Sequence, residues 1–266
     1  MIANARMYSV NAEAKAAWRT LLAWVIARAG LALEIIDYDP PAPMAALWAR
    51  DDLGCAMMCG LPASLRVPAP RLIAAPVPSP SRYRGQACYM TDIAVRADSS
   101  FGSLEDTFGG IVGFTVADSQ SGYFALRYHL WPLQRQHGGA LYRSAIGGLL
   151  NARGVIDALV AGTIDVGPLD SYSHDLLRHL EPDYAQQVRI VASSAATPMP
   201  PFVATADLDD DAIELLRTAF RAAAQHDDLA GTRAQLLLAG FAFPQPADYV
   251  PLRQRRDALI AAPELW

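Results

Sequence analysis

The chain has 266 residues, of which 52% are hydrophobic and 18% charged, and its formal net charge is −5 at pH 7. This length fits one large domain or two lobes of ordinary size, and the composition is typical of a globular protein and excludes a disordered chain. The acidic balance excludes nucleic acid as a general partner, because binding to phosphate backbones needs a basic surface.

The sequence predicts no disulfide scaffold, metal site or cofactor. Its three cysteines are Cys55, Cys59 and Cys88, and an odd number without a framework argues against a disulfide scaffold. Cys55 and Cys59 lie in an apolar run without Cys-x-x-Cys spacing, and no histidine follows closely enough for a zinc site. Walker, Gly-x-Gly-x-x-Gly and His-Glu-x-x-His motifs are also absent from the sequence. We therefore expect buried thiols and no bound cofactor.

The sequence leaves the compartment open. No apolar stretch approaches the roughly 20 residues of a membrane-spanning helix. Residues 1–6 lack the charged and apolar regions of a secretory signal. Both a cytoplasmic location and export with a removed leader agree with this pattern.

The chain opens with a predicted β-α-β pattern. Residues 5–10 are predicted to form a strand, residues 11–29 a helix that stops at Gly30, and residues 33–38 a second strand. This alternation predicts an α/β protein with a largely parallel sheet.

The next part is predicted to contain few elements before a long strand. A short helix is expected near residues 44–50, and the proline-rich stretches at 68–70 and 76–80 are interpreted as turns. Residues 88–96 are apolar enough for a long strand and are a candidate crossover between two lobes.

The middle of the chain has the clearest signals. Residues 103–106 predict a helix start, with Asp106 near the position where an acidic side chain reciprocates the cap. A strand is predicted at 111–116, followed by the Ser/Gly loop (residues 118–123) and a helix at 122–133.

Further elements follow the same alternation. We predict a helix at 152–161, a strand at 164–167, a helix after Asp170-Ser171 and a strand at 188–193. Residues 197–201 are a second candidate crossover, and two helices are predicted at the end of the chain, at 209–224 and 229–239.

The Ser/Gly loop is the first candidate binding site. A loop between a strand and a helix presents unpaired backbone N–H groups, and the helix dipole adds positive charge there, so that an anion is favoured. Ser119 and Ser121 add hydroxyl donors, and Gly122 allows a ligand to approach the backbone. An ordinary helix cap explains the same residues. The hydrolase elbow Gly-x-Ser-x-Gly is absent around Ser119 and Ser121.

The second candidate is the loop at Asp170 and Ser171. It also lies between a strand and a helix, where ligands bind in open α/β sheets, and it could share a cleft with the Ser/Gly loop. Asp170 could accept a hydrogen bond from a protonated ligand oxygen or an amine, and Ser171 could donate one. Capping of the next helix is the competing interpretation.

Several segments in a consistent order resemble one protein family. They are Ser103-Leu104-Glu105-Asp106, Gly109-Gly110, Asp118-Ser119-Gln120-Ser121-Gly122-Tyr123, Asp165-Val166-Gly167, Asp170-Ser171, Leu238-Ala239-Gly240-Phe241 and Asp248-Tyr249. The chain thereby resembles the phosphate, phosphite and phosphonate-binding components of ABC transporters over nearly its whole length.

The resemblance implies a type II periplasmic-binding-protein fold with two α/β lobes. The predicted first lobe contains residues 1–90 and 197–266, and the second contains residues 91–196. A small oxyanion would bind in the cleft between the lobes and hold them closed. The protein would deliver it to an ABC transporter permease, with a periplasmic location implied by the family.

The resemblance also implies which residues bind the ligand. Ser119, Ser121, Gly122 and Tyr123 match the oxyanion-binding helix start, and Asp170 with Ser171 matches the polar position after a second-lobe strand. The other strand ends expected to line the cleft contain Tyr8, Thr91, Met58 and Cys59. Residues 57–59 read Met-Met-Cys where the family usually has an aromatic pair, so the ligand can differ from a phosphonate.

Two other functions remain open at this stage. One is a cytoplasmic lyase or dehydratase on the same fold, with Asp170 or His174 as acid or base. The other is a ligand sensor that reports to a partner.

Overall fold

The computed structural model describes residues 1–262, 264 and 266. The strands in chain order are β1 (Ile2–Asn4), β2 (Glu34–Ile35), β3 (Leu53–Met57), β4 (Arg71–Pro78), β5 (Cys88–Tyr89), β6 (Thr91–Arg96), β7 (Ile111–Gly113), β8 (Ser144–Ile146), β9 (Gly167–Asp170), β10 (Val188–Ser193), β11 (Thr197–Pro198), β12 (Phe202–Ala204) and β13 (Leu238–Ala242). The helices are α1 (Ala12–Ala29), α2 (Met44–Trp48), α3 (Gly60–Leu65), α4 (Ala125–His137), α5 (Ala152–Val160), α6 (Ser171–Leu180), α7 (Pro182–Ala185), α8 (Asp210–Ala223), α9 (Ala230–Gln235) and α10 (Val250–Ile260). In this part of the chain, every helix is too short or too polar to cross a bilayer.

The chain divides into two compact units. The first unit contains Met1–Cys88 and Pro198–Val250, and the second contains Tyr89–Thr197 and Pro251–Trp266. Residues 251–266 therefore cluster with the second unit, whereas the sequence analysis assigned them to the first lobe. Arg255 explains part of this difference, because its guanidinium lies over the ring of Tyr128, 5.2 Å from the centroid.

The first unit is built on a six-stranded sheet with the order β13-β4-β12-β3-β1-β2. β1 pairs in parallel with β2 and β3, but β12 is antiparallel to both β3 and β4, and β13 is antiparallel to β4. The sheet is therefore mixed, and the prediction of a mainly parallel sheet is wrong. The reason is that β12 inserts between β3 and β4 in the opposite direction.

Helices cover the sheet of the first unit where the sequence predicted them. Asn11 caps α1 by accepting a hydrogen bond from the backbone N–H of Ala14 at 2.8 Å, and Gly30 ends the helix with φ of 68°. α1 packs against α8, whose cap is Asp209. The predicted helices at 11–29, 44–50 and 209–224 are confirmed to within two residues at each end.

Three predictions in the first unit are wrong. The first strand is Ile2–Asn4 and not 5–10, because Asn4 accepts a hydrogen bond from the N–H of Arg6 at 2.9 Å and a 3₁₀ turn follows. Residues 76–78 belong to β4, although prolines were interpreted as turns. They lie beyond the pairing with β12 and have β13 as neighbour, so the missing proline N–H groups cost little.

The third error concerns the predicted helix at 229–239. The helix α9 is shorter, because the chain turns at Leu237 with φ of 49° and continues as β13.

The second unit contains a three-stranded antiparallel sheet with the order β10-β6-β9 and a parallel pair of β7 and β8. Side chains of β6 alternate between its faces. Ile93 and Val95 join a core cluster with Leu126 and Leu130 of α4, which defines the face of β6 that α4 covers.

Several boundaries in the second unit differ from the predictions. β9 begins at Gly167 and not at 164, because Asp165 accepts a hydrogen bond from the N–H of Ile111 at 2.7 Å and ties the preceding segment to β7. The strand predicted at 111–116 ends at Gly113, and the one predicted at 88–96 is interrupted at Met90. The helices predicted at 152–161 and after Asp170-Ser171, and the strand at 188–193, are confirmed.

Candidate functional site

The Ser/Gly loop forms a capped helix start. Ser119 has an extended backbone, and its hydroxyl accepts a hydrogen bond from the N–H of Gly122 at 2.9 Å. The N–H of Phe124 donates to the carbonyl of Ser119 at 3.1 Å, five residues back. Residues 120–124 therefore form a π-helical turn that leads directly into α4. Such turns occur often at functional sites.

This helix start has the chemistry of an anion site. The N–H groups of Gly122 and Phe124 donate to Ser119. The first N–H groups of a helix find no acceptor inside the helix itself. The N–H groups of Gln120, Ser121 and Tyr123 belong to that first turn, and Ser121 is partly exposed. A run of 18 residues from Gln120 to His137 stands behind them, so its dipole favours negative charge at the loop.

Gly122 is required by packing inside the protein. A Cβ atom at this position would lie 1.8 Å from Oγ1 of Thr115. The N–H of Thr115 also donates to the carbonyl of Gly122 at 3.2 Å. From the sequence, Gly122 was expected to allow the approach of a ligand. Its contact with Thr115 was not predictable, because it joins two segments that have no sequence pattern in common.

Thr91 connects the Ser/Gly loop to the central sheet of the second unit. Its hydroxyl donates to the carbonyl of Ser121 at 3.1 Å. Its backbone N–H donates to the hydroxyl of Ser194 at 2.9 Å, and it lies opposite Asp170 in the pairing of β6 with β9. The structure thus brings together Thr91, the Ser/Gly loop and Asp170, and their contact with a ligand stays a prediction.

Asp170 and Ser171 both have structural tasks. One carboxylate oxygen of Asp170 accepts hydrogen bonds from the N–H groups of Tyr172 and Ser173, each at 3.0 Å, and so caps α6. Ser171 is fully buried, and its hydroxyl accepts from the N–H of Met90 at 2.9 Å. Burial, followed by the charge of Asp170, raises the pKa of Tyr172 well above its ordinary value.

A buried polar cluster lies on the other face of β6. The hydroxyl of Ser193 donates to Asp92 at 2.6 Å, and Nδ1 of His174 lies 3.8 Å from the second oxygen of that carboxylate. Asp92 and His174 are both buried. Because neighbouring side chains of a strand point to opposite faces, this cluster is separated by the sheet from the Ser121 carbonyl that Thr91 holds. His174 is therefore not placed to act as an acid or base at the Ser/Gly loop.

Arg127 is a residue near the loop that the sequence analysis missed. Its Nη1 donates to the hydroxyl of Tyr123 at 3.2 Å, and the residue is buried. The signal was present in the sequence, because residues four apart on a helix are neighbours on its surface.

Three predicted site residues belong to the first unit. The hydroxyl of Tyr8 lies 3.5 Å from the sulfur of Met199. The N–H of Met58 donates to the carbonyl of Pro201 at 2.9 Å, and Cys59 precedes α3 as its cap residue. All three are buried. Their contact with a ligand stays a prediction.

The described residues contain no group of three or more His, Cys, Asp or Glu side chains arranged to hold a metal ion. The groups that the Ser/Gly loop offers are neutral donors, namely backbone N–H groups and hydroxyls at the start of a helix.

The fold matches that of solved binding proteins. The binding-protein component of an ABC phosphonate transporter from Pseudomonas aeruginosa is 18% identical, with a TM-score of 0.78, over 96% of this chain and 85% of that one. PhnD1 from Prochlorococcus marinus, solved with methylphosphonate, is 13% identical, with a TM-score of 0.77, over 98% of both chains. A protein of Xanthomonas citri bound to chloride is 20% identical, with a TM-score of 0.69, over 97% of this chain and 99% of that one. These likenesses confirm the predicted periplasmic-binding-protein fold.

The family is shown by the sequence itself. No curated protein matched the chain in a sequence search. Residues 8–249, which are most of the chain, match the profile of the periplasmic substrate-binding proteins of phosphonate ABC transporters. The chain belongs to this family, whose members bind a solute for transport and are not enzymes.

Proposed function

We propose that the second unit binds a small oxyanion at the Ser/Gly loop, and that a phosphonate such as methylphosphonate is the first ligand to test. The observation that carries this proposal is the helix start, where the Ser119 cap leaves the N–H groups of Gln120, Ser121 and Tyr123 in the first turn. PhnD1, which shares the fold, was solved with methylphosphonate.

Each part of the loop has a role in this binding. The first-turn N–H groups and the hydroxyl of Ser121 donate to the oxyanion, and the dipole of α4 stabilises its charge. Thr91 donates to the carbonyl of Ser121 and so orients the peptide bond between Ser121 and Gly122. Ser119 supports the turn because its hydroxyl is engaged with Gly122. Asp170 and Ser171 are proposed to contact the ligand in addition to the cap that Asp170 forms and the hydrogen bond that Ser171 accepts from Met90.

The biological role follows from the family. The bound oxyanion would be passed to an ABC transporter permease, and the protein would work in the periplasm. Tyr8, Met58 and Cys59 of the first unit are proposed as additional ligand contacts. Met58 and Cys59 follow the end of β3, and Tyr8 lies in the 3₁₀ turn after β1.

The decisive experiment is calorimetry with methylphosphonate, phosphate, phosphite and, as a comparison, chloride. We expect reversible binding of at least one of the three phosphorus oxyanions. The Ser121→Ala variant should bind about tenfold or more weakly, because a hydrogen bond to a charged group contributes about 1.5–3 kcal/mol.

Ser103→Ala is the matched control. Ser103 is also partly exposed, lies in the same unit and accepts a backbone hydrogen bond, from the N–H of Asp106 at 3.3 Å. Its substitution should leave the affinity unchanged. Equal affinities of the wild type and Ser121→Ala would place the site elsewhere, and the absence of binding to all three oxyanions would refute the ligand class.

A further inference from the structure

Two aromatic rings pack against Tyr123, the residue that follows Gly122 in the Ser/Gly loop. We name Phe114, Tyr123 and Trp266 the aromatic bracket. The rings of Phe114 and Tyr123 have centroids 5.0 Å apart, and Trp266 stacks on Phe114 at 5.9 Å with an interplanar angle of 14°. Trp266 also meets Tyr123 edge-on at 6.0 Å. Aromatic pairs at these separations stabilise one another beyond the area that they bury.

The guanidinium of Arg127 packs on two rings of the aromatic bracket. Its guanidinium carbon lies 5.2 Å from the centroid of the Tyr123 ring and 5.8 Å from that of Trp266. In the same position Nη1 donates to the hydroxyl of Tyr123 at 3.2 Å. The cation therefore holds both the face and the hydroxyl of Tyr123, which leaves this side chain little rotational freedom.

The ion pair between Arg127 and the carboxylate of Glu264 is weak. Its closest carboxylate is that of Glu264, 3.8 Å from Nη2, and this carboxylate is 67% exposed, whereas the Arg127 side chain is 6% exposed. An ion pair with one partner in water is largely screened. The two rings, and not Glu264, are thus the main partners of the guanidinium.

The C-terminal part of the chain, from α10 onwards, contacts α4 at more than one place. The side-chain amide of Gln134 donates to the carbonyl oxygen of Glu264. Arg255 of α10 lies over the ring of Tyr128 at 5.2 Å. These contacts lie along α4. They place Trp266 beside Tyr123 and Arg127, at the start of the helix that follows the Ser/Gly loop.

We propose that Arg127 and Trp266 are positioning residues of the oxyanion site, and that they act by fixing the side chain of Tyr123 at the end of the Ser/Gly loop. This inference rests on the proposed function of that loop. Tyr123 contributes one of the first-turn N–H groups, and a side chain that is already fixed loses less conformational entropy when ligand binds. A segment more than 120 residues away in sequence is thereby part of the binding site.

Calorimetry with methylphosphonate tests the effect on binding. Trp266→Ala should weaken binding about fivefold, and Trp266→Phe, which keeps a ring, should stay within about twofold of the wild type. Ile260→Ala is the control, because Ile260 ends α10 in the same C-terminal part of the chain and is 61% exposed, and it should have no effect. In a double-mutant cycle, Trp266→Ala should add little to Tyr123→Ala, since both remove the same interaction.

A measurement without ligand tests the positioning itself. Hydrogen exchange of a peptide that covers residues 119–124 should become about tenfold faster in Trp266→Ala and in Arg127→Met, because the turn opens more often when Tyr123 is released. A peptide from α8 in the first unit should not change. Unchanged exchange of residues 119–124 in both variants would overturn the inference.

The outcomes separate the two proposals. If Ser121→Ala weakens binding while Trp266→Ala does not, the oxyanion site stands and the positioning role is wrong. If the wild type binds no oxyanion, the proposed function fails, and faster exchange in Trp266→Ala would then show a stabilising contact without a role in binding. Additive effects of Tyr123→Ala and Trp266→Ala on affinity would also contradict the positioning role.

Discussion

At the scale of single residues, Gly122 offers a sharp test of how the loop is built. A Cβ atom added to this residue would lie 1.8 Å from Oγ1 of Thr115, which the neighbouring chain cannot accept without movement. We expect Gly122→Ala to lower the free energy of unfolding by about 1–3 kcal/mol, because overpacking displaces the neighbouring backbone. Urea unfolding followed by circular dichroism measures this change.

The chain provides a control and a rescue for this substitution. Gly231 in α9 has no atom within 4 Å of an added Cβ, so Gly231→Ala should be neutral or stabilising by up to about 1 kcal/mol. Thr115→Ala removes the closest atom and should restore part of the stability of Gly122→Ala. If Gly122→Ala proves as harmless as Gly231→Ala, the packing explanation is wrong.

The roles of single residues could be predicted from the sequence only in part. Ser119 was expected as a cap or an anion donor, and its hydroxyl is a cap. Gly122 was expected for ligand access, but Thr115 provides the reason for it. Asp92 and Ser193 were not anticipated, because their hydrogen bond joins two strands about 100 residues apart. A single sequence gives no pairing of distant strands, and so it cannot give contacts of this kind.

At the scale of elements, the cap of α6 makes a second prediction. Asp170 accepts two backbone N–H groups at the start of this helix. Asp170→Ala should reduce the free energy of unfolding by about 1 kcal/mol, whereas Asp170→Asn should retain most of it, because asparagine also caps helices well. Thermal or urea unfolding of both variants gives the comparison.

Asp209 serves as the matched position in the first unit. It caps α8 by accepting from the N–H of Ala212 at 2.7 Å, and Asp209→Ala should cost a similar amount of stability. Only the Asp170 variants should change the affinity for methylphosphonate, if Asp170 also contacts the ligand. An Asp170→Asn variant as unstable as Asp170→Ala would show that charge, and not capping, stabilises the helix start.

Elements with strong local signals were predictable. α1, α5 and α8 have an Asn or Asp cap and apolar residues at helical spacing, and these are properties of a short stretch of sequence. β1 and β9 were misplaced and β4 was not predicted, because the limits of these strands depend on their neighbours. β4 tolerates Pro76 only since β12 does not pair there, and β9 begins where the ladder with β6 begins. The limits of a strand depend on which strands it pairs with, and the sequence does not show that pairing.

At the scale of the whole molecule, buried tyrosines predict how stability depends on alkaline pH. Burial raises the pKa of Tyr142 from 10.0 to about 12, and its hydroxyl lies 3.1 Å from that of Thr107. The fold favours the neutral phenol, so this contribution is fully present below pH 10 and is lost as pH rises towards 12. A rise of this size corresponds to roughly 3 kcal/mol.

Urea unfolding at pH 8 and pH 11 measures the loss. We expect the wild type to be less stable at pH 11, and Tyr142→Phe to lose less between the two pH values, although it starts lower because the hydrogen bond with Thr107 is gone. Tyr172, whose pKa is raised in the same direction, leaves a residual loss in that variant. An identical pH dependence of Tyr142→Phe and the wild type would contradict this assignment.

Ligand binding and folding are linked in the whole molecule, which gives a last prediction. A ligand that binds only the folded state stabilises it by about 2.7 kcal/mol at 100 times its Kd. For a protein of this size that corresponds to a rise in Tm of roughly 5–10 °C. We expect this rise with methylphosphonate, measured by scanning calorimetry, and a smaller one for Ser121→Ala at the same concentration, because that variant lacks one hydroxyl donor in the first turn of the helix start. Potassium chloride at equal ionic strength controls for general salt effects. A Tm that rises equally in both salts would mean that the Ser/Gly loop does not select a phosphorus oxyanion, and the ligand class would have to be sought again from the same helix start.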